Sequence, residues 1–259
     1  MPDAPKGTDS EPIRAVVVGA SSGLGRCIGT GLGRRGARVA LLARRVDRLT
    51  AAAGEAGPEA LAIQCDVTEE KSCRDAIEEA AEKLGGIDAL VYTPAIGPLS
   101  RIENVNSETW SRVFATNVTG ASMVTGAALP YLLSSRGRAV FLSSISATYT
   151  APWPGLGAYI VSKAALEKLI DVWRTEHPGV GFTRIVVGNC VGGQGDSATG
   201  FADEWDWDLA AELGAHWTSR GYITDNFVDV EDLVGVVDSV IRAGPTASIP
   251  YIVVTQPGL

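Results

Sequence analysis

The stretch that decides the fold is residues 14–25, RAVVVGASSGLG, in which an almost wholly apolar run closes on Gly19 and two further glycines follow at Gly23 and Gly25. A run that is apolar at every position suits a strand buried on both faces of a parallel sheet. Residues 24–35 have helical content, so the glycines lie in the turn between a strand and a helix. There they let the backbone bend tightly and approach a ligand closely, with Ser21, Ser22 and Leu24 beside them. The free N–H groups and positive end of the following helix suit a pyrophosphate. A glycine turn holding nothing is the alternative. Its place between the first strand and the first helix favours a dinucleotide.

Working outward, residues 37–43 (ARVALLA) form a second apolar strand with Arg44 and Arg45 at its exit. In a dinucleotide-binding fold this strand end meets the adenosine ribose, where an acid accepts from the 2′-hydroxyl and an arginine meets a 2′-phosphate. Neither Ala43 nor Arg44 is an acid, so NADP(H) is favoured over NAD(H), with Arg44 the first candidate and Arg45 in support. A solvated arginine pair is the alternative. Residues 60–67 give a third strand ending in Asp66 and Val67. Thr68 is placed to cap a helix that runs to Leu84 and stops at Gly85. Residues 87–93 form a fourth strand, and its loop contains Ala95. Ser107 is placed to cap a long helix over 108–133 that carries Asn117 in its middle, where an asparagine is unfavourable and asks for a local reason such as a kink. Strands at 137–144, 181–189 and 249–255, with a helix over about 230–243, complete the pattern. Strands alternating with helices, without repeats or a linker, predict an α/β fold: one doubly wound parallel sheet of about seven strands over residues 13–259, with residues 1–12 a disordered tail.

The second decisive stretch is residues 143–166, SSISATYTAPWPGLGAYIVSKAAL. Tyr159 and Lys163 stand four apart, so on a helix they share a face. A fixed positive charge near a phenol pulls its pKa from about 10 towards the range where it works as an acid or base. An amphipathic helix that happens to carry both residues is the plain alternative. The serines end the fifth strand at the sheet edge where open α/β sheets place their sites.

Composition narrows the classes. A net charge of -8 argues against nucleic acid and anionic membranes as partners, which want clustered cations. Four cysteines without a Cys-x-x-Cys spacing and only two histidines support neither a metal site nor a disulfide framework, and are expected to be reduced thiols in a cytoplasmic protein. No apolar run approaches the ~20 residues of a membrane span, and the first residues lack the apolar core of a signal peptide.

Taken together these motifs resemble the short-chain dehydrogenase/reductase family over nearly the whole chain: GASSGLG after the first strand, Asp66-Val67 after the third, Asn117 in Asn-Val-Thr-Gly, and SS…YIVSK. The resemblance implies a catalytic set of Asn117, Ser144, Tyr159 and Lys163, with Asp66 receiving the adenine amino group beside Val67. It extends the dinucleotide contacts to Ala95, Gly188 and Val191. Family spacing would choose Ser146, 13 residues before Tyr159; the second serine of the strand-closing pair is Ser144, 15 residues before it. Ser144 is taken, with a two-residue insertion between Ala147 and Pro152 and with Ser143 facing the other way. Three departures stand out: Tyr92-Thr93-Pro94-Ala95 where the family has Asn-Asn-Ala-Gly, Val18 where it has a threonine whose hydroxyl bonds that loop, and Val187-Gly188 for a Pro-Gly turn.

The resemblance implies an NADP(H)-dependent oxidoreductase interconverting a ketone and a secondary alcohol, built as a homo-oligomer, a dimer or tetramer. Residues 192–225 match the position of a substrate loop, here rich in aromatics (Phe201, Trp205, Trp207, Trp217, Tyr222) and acids (Asp196, Asp203, Glu204, Asp206, Asp208). With Trp153 and Trp205 as substrate contacts, it suits a bulky ring-containing or apolar ketone and disfavours an anionic one. Rings that only pack the loop onto the domain or build a subunit contact are the alternative. A redox-silent dinucleotide-binding sensor or scaffold is the rival function, motivated by the altered Tyr92 to Ala95 loop and opposed by the intact catalytic set. A dehydratase or epimerase of the longer related family would need more chain.

Overall fold

β1 (Arg14–Val18) pairs in parallel with β2 (Arg38–Ala43) on one side and β4 (Ala89–Tyr92) on the other, and this branching sets the architecture. The computed structural model describes residues 11–244 and 246–258; of the expected N-terminal tail, residues 1–10 lie outside them. Among the described residues, β3 (Leu61–Gln64), β5 (Arg138–Ser144), β6 (Gly181–Val187) and β7 (Tyr251–Val254) complete a parallel sheet ordered β3-β2-β1-β4-β5-β6-β7. The chain runs outward from β1 to β3, then returns to start the other half at β4. The reversal puts a crevice at the C-terminal ends of β1 and β4, where open α/β sheets bind ligands.

Side chains alternate across the sheet. Val16, Val18, Leu42, Leu90, Tyr92 and Phe141 pack under α3 (Glu70–Leu84), α5 (Gly120–Ser135) and α7 (Gly157–Glu176). Ala15, Val17, Leu41, Val91 and Val140 pack under α1 (Gly23–Arg34), α2 (Val46–Ala56) and α9 (Val230–Ile241). A sheet covered on both faces explains why its strands read as continuous apolar runs.

Several expectations need correction. Residues 46–56, to which no element was assigned, form α2, whose buried face is Leu49, Ala52, Ala53 and Ala56. The long helix expected over 108–133 is three pieces: α4 (Ser107–Phe114), a π-helical stretch (Ala115–Thr119) holding Asn117, and α5. Asn106, not Ser107, caps α4, its Oδ1 accepting from the Thr109 N–H at 2.8 Å. Thr68 does not cap α3, which begins two residues later; its N–H and hydroxyl donate to Asp66 Oδ1 at 3.0 and 2.7 Å. After β5 comes α6 (Ile145–Thr148), and between β6 and α9 the chain makes a long excursion containing α8 (Trp207–Ser219), capped by Asp206. All four cysteines are free. Among the described residues no His, Cys and acid cluster could hold a metal, and no helix is long and apolar enough to cross a membrane.

Candidate active site

The crevice at the sheet's C-terminal edge opens into a cavity of about 900 Å³ lined by the loops after β1, β2, β3, β4, β5 and β6. Its floor at one end is the turn between β1 and α1. Gly19 and Gly23 have φ of +83° and +58°, which favour glycine. A Cβ on Gly25 would strike the Gly19 carbonyl and Thr93 Oγ1, so the backbone forms a cradle that only glycine leaves open. With the α1 N-terminus behind it, this cradle fits the pyrophosphate of a dinucleotide.

The altered loop after β4 has its physical account here. Val18 offers no hydroxyl, but the Thr93 hydroxyl donates to the Val18 carbonyl at 2.6 Å and the Thr93 N–H does so at 3.2 Å. The tie between the two loops survives with the donor moved to the other side, and Thr93 was not among the site residues expected from sequence.

At the adenosine end, Ser21, Ser22, Arg44, Arg45, Asp66 and Val67 all line the cavity. Arg45, rather than Arg44, reaches the glycine turn, donating through Nη2 to Ser21 Oγ at 3.1 Å and Ser22 Oγ at 2.7 Å. Arg44 instead acts on Asp66. Burial pushes that carboxyl up, but the two bonds from Thr68 and the charge of Arg44 prevail and hold it below the usual carboxylate range. Leu24, Ala95, Gly188 and Val191 line the same cavity.

At the other end stand Ser144, Tyr159 and Lys163. Ser144 ends β5 and lines the cavity, while the Ser143 hydroxyl donates to the buried Glu167 at 2.6 Å. Ser144 Oγ lies 2.9 Å from Ser146 Oγ and accepts from the Ser146 N–H at 3.3 Å, so Ser144 and the serine that family spacing would choose form one pair. The Tyr159 phenol is pushed up to about 12 by burial, with the Ser144 hydroxyl pulling the other way. Lys163, 2% exposed, donates to the Leu142 carbonyl at 2.7 Å, and its Nζ sits 5.9 Å from the Tyr159 ring centroid. Burial brings this ammonium down to about 8 against the opposing charge of Glu167. In this arrangement burial governs Tyr159, and Lys163 spends one of its three donors on the end of β5.

Asn117 is fully buried, and both functions of its amide are committed. Oδ1 accepts from the Ile96 N–H at 2.9 Å; Nδ2 donates to the Ile96 carbonyl at 3.0 Å and to Ser162 Oγ at 2.8 Å. The π-helical stretch aims this side chain inward, the local reason that an asparagine in mid-helix demanded.

The excursion after β6 closes over this end. Phe201 meets Tyr159 edge to face at 5.1 Å and sits where a side chain on Gly97 would be. Trp205 contacts Phe201 at 5.8 Å and anchors by Nε1 to the Gly97 carbonyl at 2.8 Å. Trp153 lines the cavity and stacks on Tyr222 at 5.5 Å. Trp207, grouped with these rings by sequence, is 67% exposed and takes no part. The contact of Phe201 with Tyr159 lay beyond sequence reasoning, because it joins residues 42 apart through a loop.

The short chain dehydrogenase family model matches residues 14–201. The chain is 34% identical over 179 residues to an 11-beta-hydroxysteroid dehydrogenase A of Sesamum indicum, covering 67% of this chain and 51% of that protein. It is 34% identical over 191 residues to a glycine betaine reductase of Emericella nidulans, covering 71% of this chain and 15% of the other. The match thus spans at most about half the length of these relatives. A short-chain type dehydrogenase/reductase from Mycobacterium marinum superposes with a TM-score of 0.80 at 26% identity, covering 94% of each chain. With the family model spanning cradle, crevice and Tyr-Lys helix, the chain belongs to the short-chain dehydrogenase family of oxidoreductases.

Proposed function

We propose that this chain is an NADP(H)-dependent oxidoreductase that interconverts a bulky, ring-containing or apolar ketone and its secondary alcohol. The observation that carries the reading is the meeting of Ser144, Tyr159 and Lys163 in the same cavity as the glycine cradle. A dinucleotide bound on that cradle supplies hydride to a carbonyl carbon or takes it from an alcohol. Ser144, held by the Ser146 N–H and paired with the Ser146 hydroxyl, turns its O–H to the substrate oxygen when substrate binds. Tyr159 gives its proton to that oxygen as the alcohol forms; a phenol held protonated at neutral pH suits this direction. Lys163 fixes the end of β5 and places a positive charge behind the phenol. Asn117, its amide bonded to Ile96 and Ser162, braces the loop after β4 against α7.

Arg45 and Arg44 at the exit of β2, where no acid stands, support a 2′-phosphate and hence NADP(H). The size of the cavity, its aromatic rim and the hydroxysteroid in the sesame relative's name support a large ring-bearing substrate. A cytoplasmic homo-oligomer is the setting proposed from the resemblance. The test is turnover of NADPH with a panel of cyclic ketones: Tyr159→Phe should abolish it while leaving NADPH binding nearly intact, and Ser144→Ala should lose far more rate than Ser146→Ala. A fully active Tyr159→Phe variant would reject the reading.

A further inference from the structure

Among the described residues Glu167 is the carboxylate that the fold buries, at 3% exposure, one turn beyond Lys163 on α7. Burying a carboxylate is costly unless it is paired and hydrogen-bonded, so its surroundings indicate what it is for. Oε1 accepts from Ser143 Oγ at 2.6 Å and Oε2 from Thr148 Oγ1 at 2.8 Å. Ser143 immediately precedes Ser144 on β5, and Thr148 ends α6. From β6, Arg184 Nε stands 3.9 Å from Oε2, too long for a hydrogen bond, and its Nη1 is shared with Asp171 at 3.5 Å. Arg184 is thus a loose partner. The cation that feels Glu167 from the catalytic side is Lys163, whose other neighbours are the Leu142 carbonyl and the neutral Tyr159 phenol.

We propose that Glu167 is a positioning residue of the catalytic centre: its buried carboxylate is the counter-charge that keeps Lys163 an ammonium, and the clamp that holds Ser143 and the α6 turn onto α7. One group then ties together the elements carrying Ser144 and Lys163. Its effect on rate rests on the Tyr159 and Lys163 chemistry proposed above; its effect on Lys163 itself does not.

The test follows the ε-carbon resonances of labelled lysine in the full-length protein, which has five lysines, with Lys163 assigned by its loss in Lys163→Met. In Glu167→Gln, which keeps size and one acceptor but removes the charge, the Lys163 titration should move to lower pH by about half a unit or more. The alkaline limb of kcat/KM for carbonyl reduction should move with it. Glu167→Asp should restore most of the shift, and Thr148→Val, which removes one clamp donor and keeps the charge, should leave the titration in place. A titration unmoved in Glu167→Gln, or moved equally in Thr148→Val, overturns the proposal. If Glu167→Gln does not fold, the same downward shift is required of Glu167→Gln/Arg184→Gln against Arg184→Gln, a pair of variants that differs in the Glu167 charge alone with its loose partner Arg184 removed from both. A wild type that turns over no ketone would count against the ketone–alcohol reading proposed above, while the titration would still decide this one.

Discussion

Asn117 and Ile96 exchange two hydrogen bonds, side chain to backbone in both directions, across 21 residues of chain. Through the third bond, to Ser162, the loop after β4 is fastened to the helix that carries Tyr159 and Lys163. Removing this amide leaves buried donors and acceptors unpaired, each worth about 1–3 kcal/mol. Asn117→Ala should therefore destabilise the fold by about 2–4 kcal/mol in denaturant titration and lower kcat, because the loop and helix no longer hold their register. Unchanged stability together with a lost rate would mean that Asn117 acts on the chemistry alone.

The parts legible in the sequence are those written in local pattern. Continuous apolar runs mark the strands of a sheet covered on both faces, and the spacing of Tyr159 and Lys163 needs only a helix to be read. Even the oddity of Asn117 pointed to a break in its helix. What stayed hidden depends on three-dimensional partners. The buried face of α2 is mostly alanine, too weakly apolar to stand out, and α8 buries only Leu213 and Trp217 fully. Adjacent residues such as Arg44 and Arg45 have equal claims until the backbone aims one at Ser22 and sets the other to act on Asp66. Lys163 could be placed near Tyr159 by periodicity, but its commitment to the Leu142 carbonyl requires the packed strand.

Cofactor choice is the second prediction. Losing an arginine contact to a 2′-phosphate costs about 1.5–3 kcal/mol, roughly tenfold or more in affinity. NADPH should bind at least about tenfold more tightly than NADH. Arg45→Ala and Arg44→Ala should each narrow that ratio by weakening NADPH alone. Equal affinities of the wild type for the two cofactors, measured by fluorescence titration, would defeat the assignment.

The third prediction is a pH dependence with two signs. Lys163 is brought from 10.5 to about 8 by burial, so carbonyl reduction that needs the ammonium should fall as pH rises through about 8. Stability runs the other way: the unfolded chain keeps this proton to higher pH than the folded one, so burying Lys163 costs stability below about pH 8 and the cost fades as pH climbs towards 10.5. The difference in Tm between wild type and Lys163→Met should accordingly shift in favour of the wild type between about pH 7 and about pH 10. A difference independent of pH would show that Lys163 titrates near its ordinary value.

The last prediction concerns the substrate. Phe201 lies edge-on to Tyr159 and Trp205 edge-on to Phe201, so the wall beside the proposed proton donor is aromatic. An added hydrophobic contact in such a pocket discriminates by about 1–3 kcal/mol, and a bulky cyclic ketone should exceed a small linear one in kcat/KM by about tenfold or more. Asp203 and Glu204 line the same cavity, and although Glu204 is paired with Arg112 at 2.5 Å, an anionic ketone would still meet the charge of Asp203. Packing is the competing explanation, since Trp153 and Trp205 also contact Trp217 at 5.8 and 6.0 Å. Phe201→Ala separates the two: the ring lies over Tyr159 rather than deep in that cluster, so its removal should cost the cyclic ketone about tenfold while changing Tm little. Trp153→Ala and Trp205→Ala should lose both selectivity and stability, and Trp207→Ala, at an exposed position, should lose neither. A preference for small or anionic ketones, or a Phe201→Ala variant that unfolds without changing selectivity, would assign these rings to packing alone.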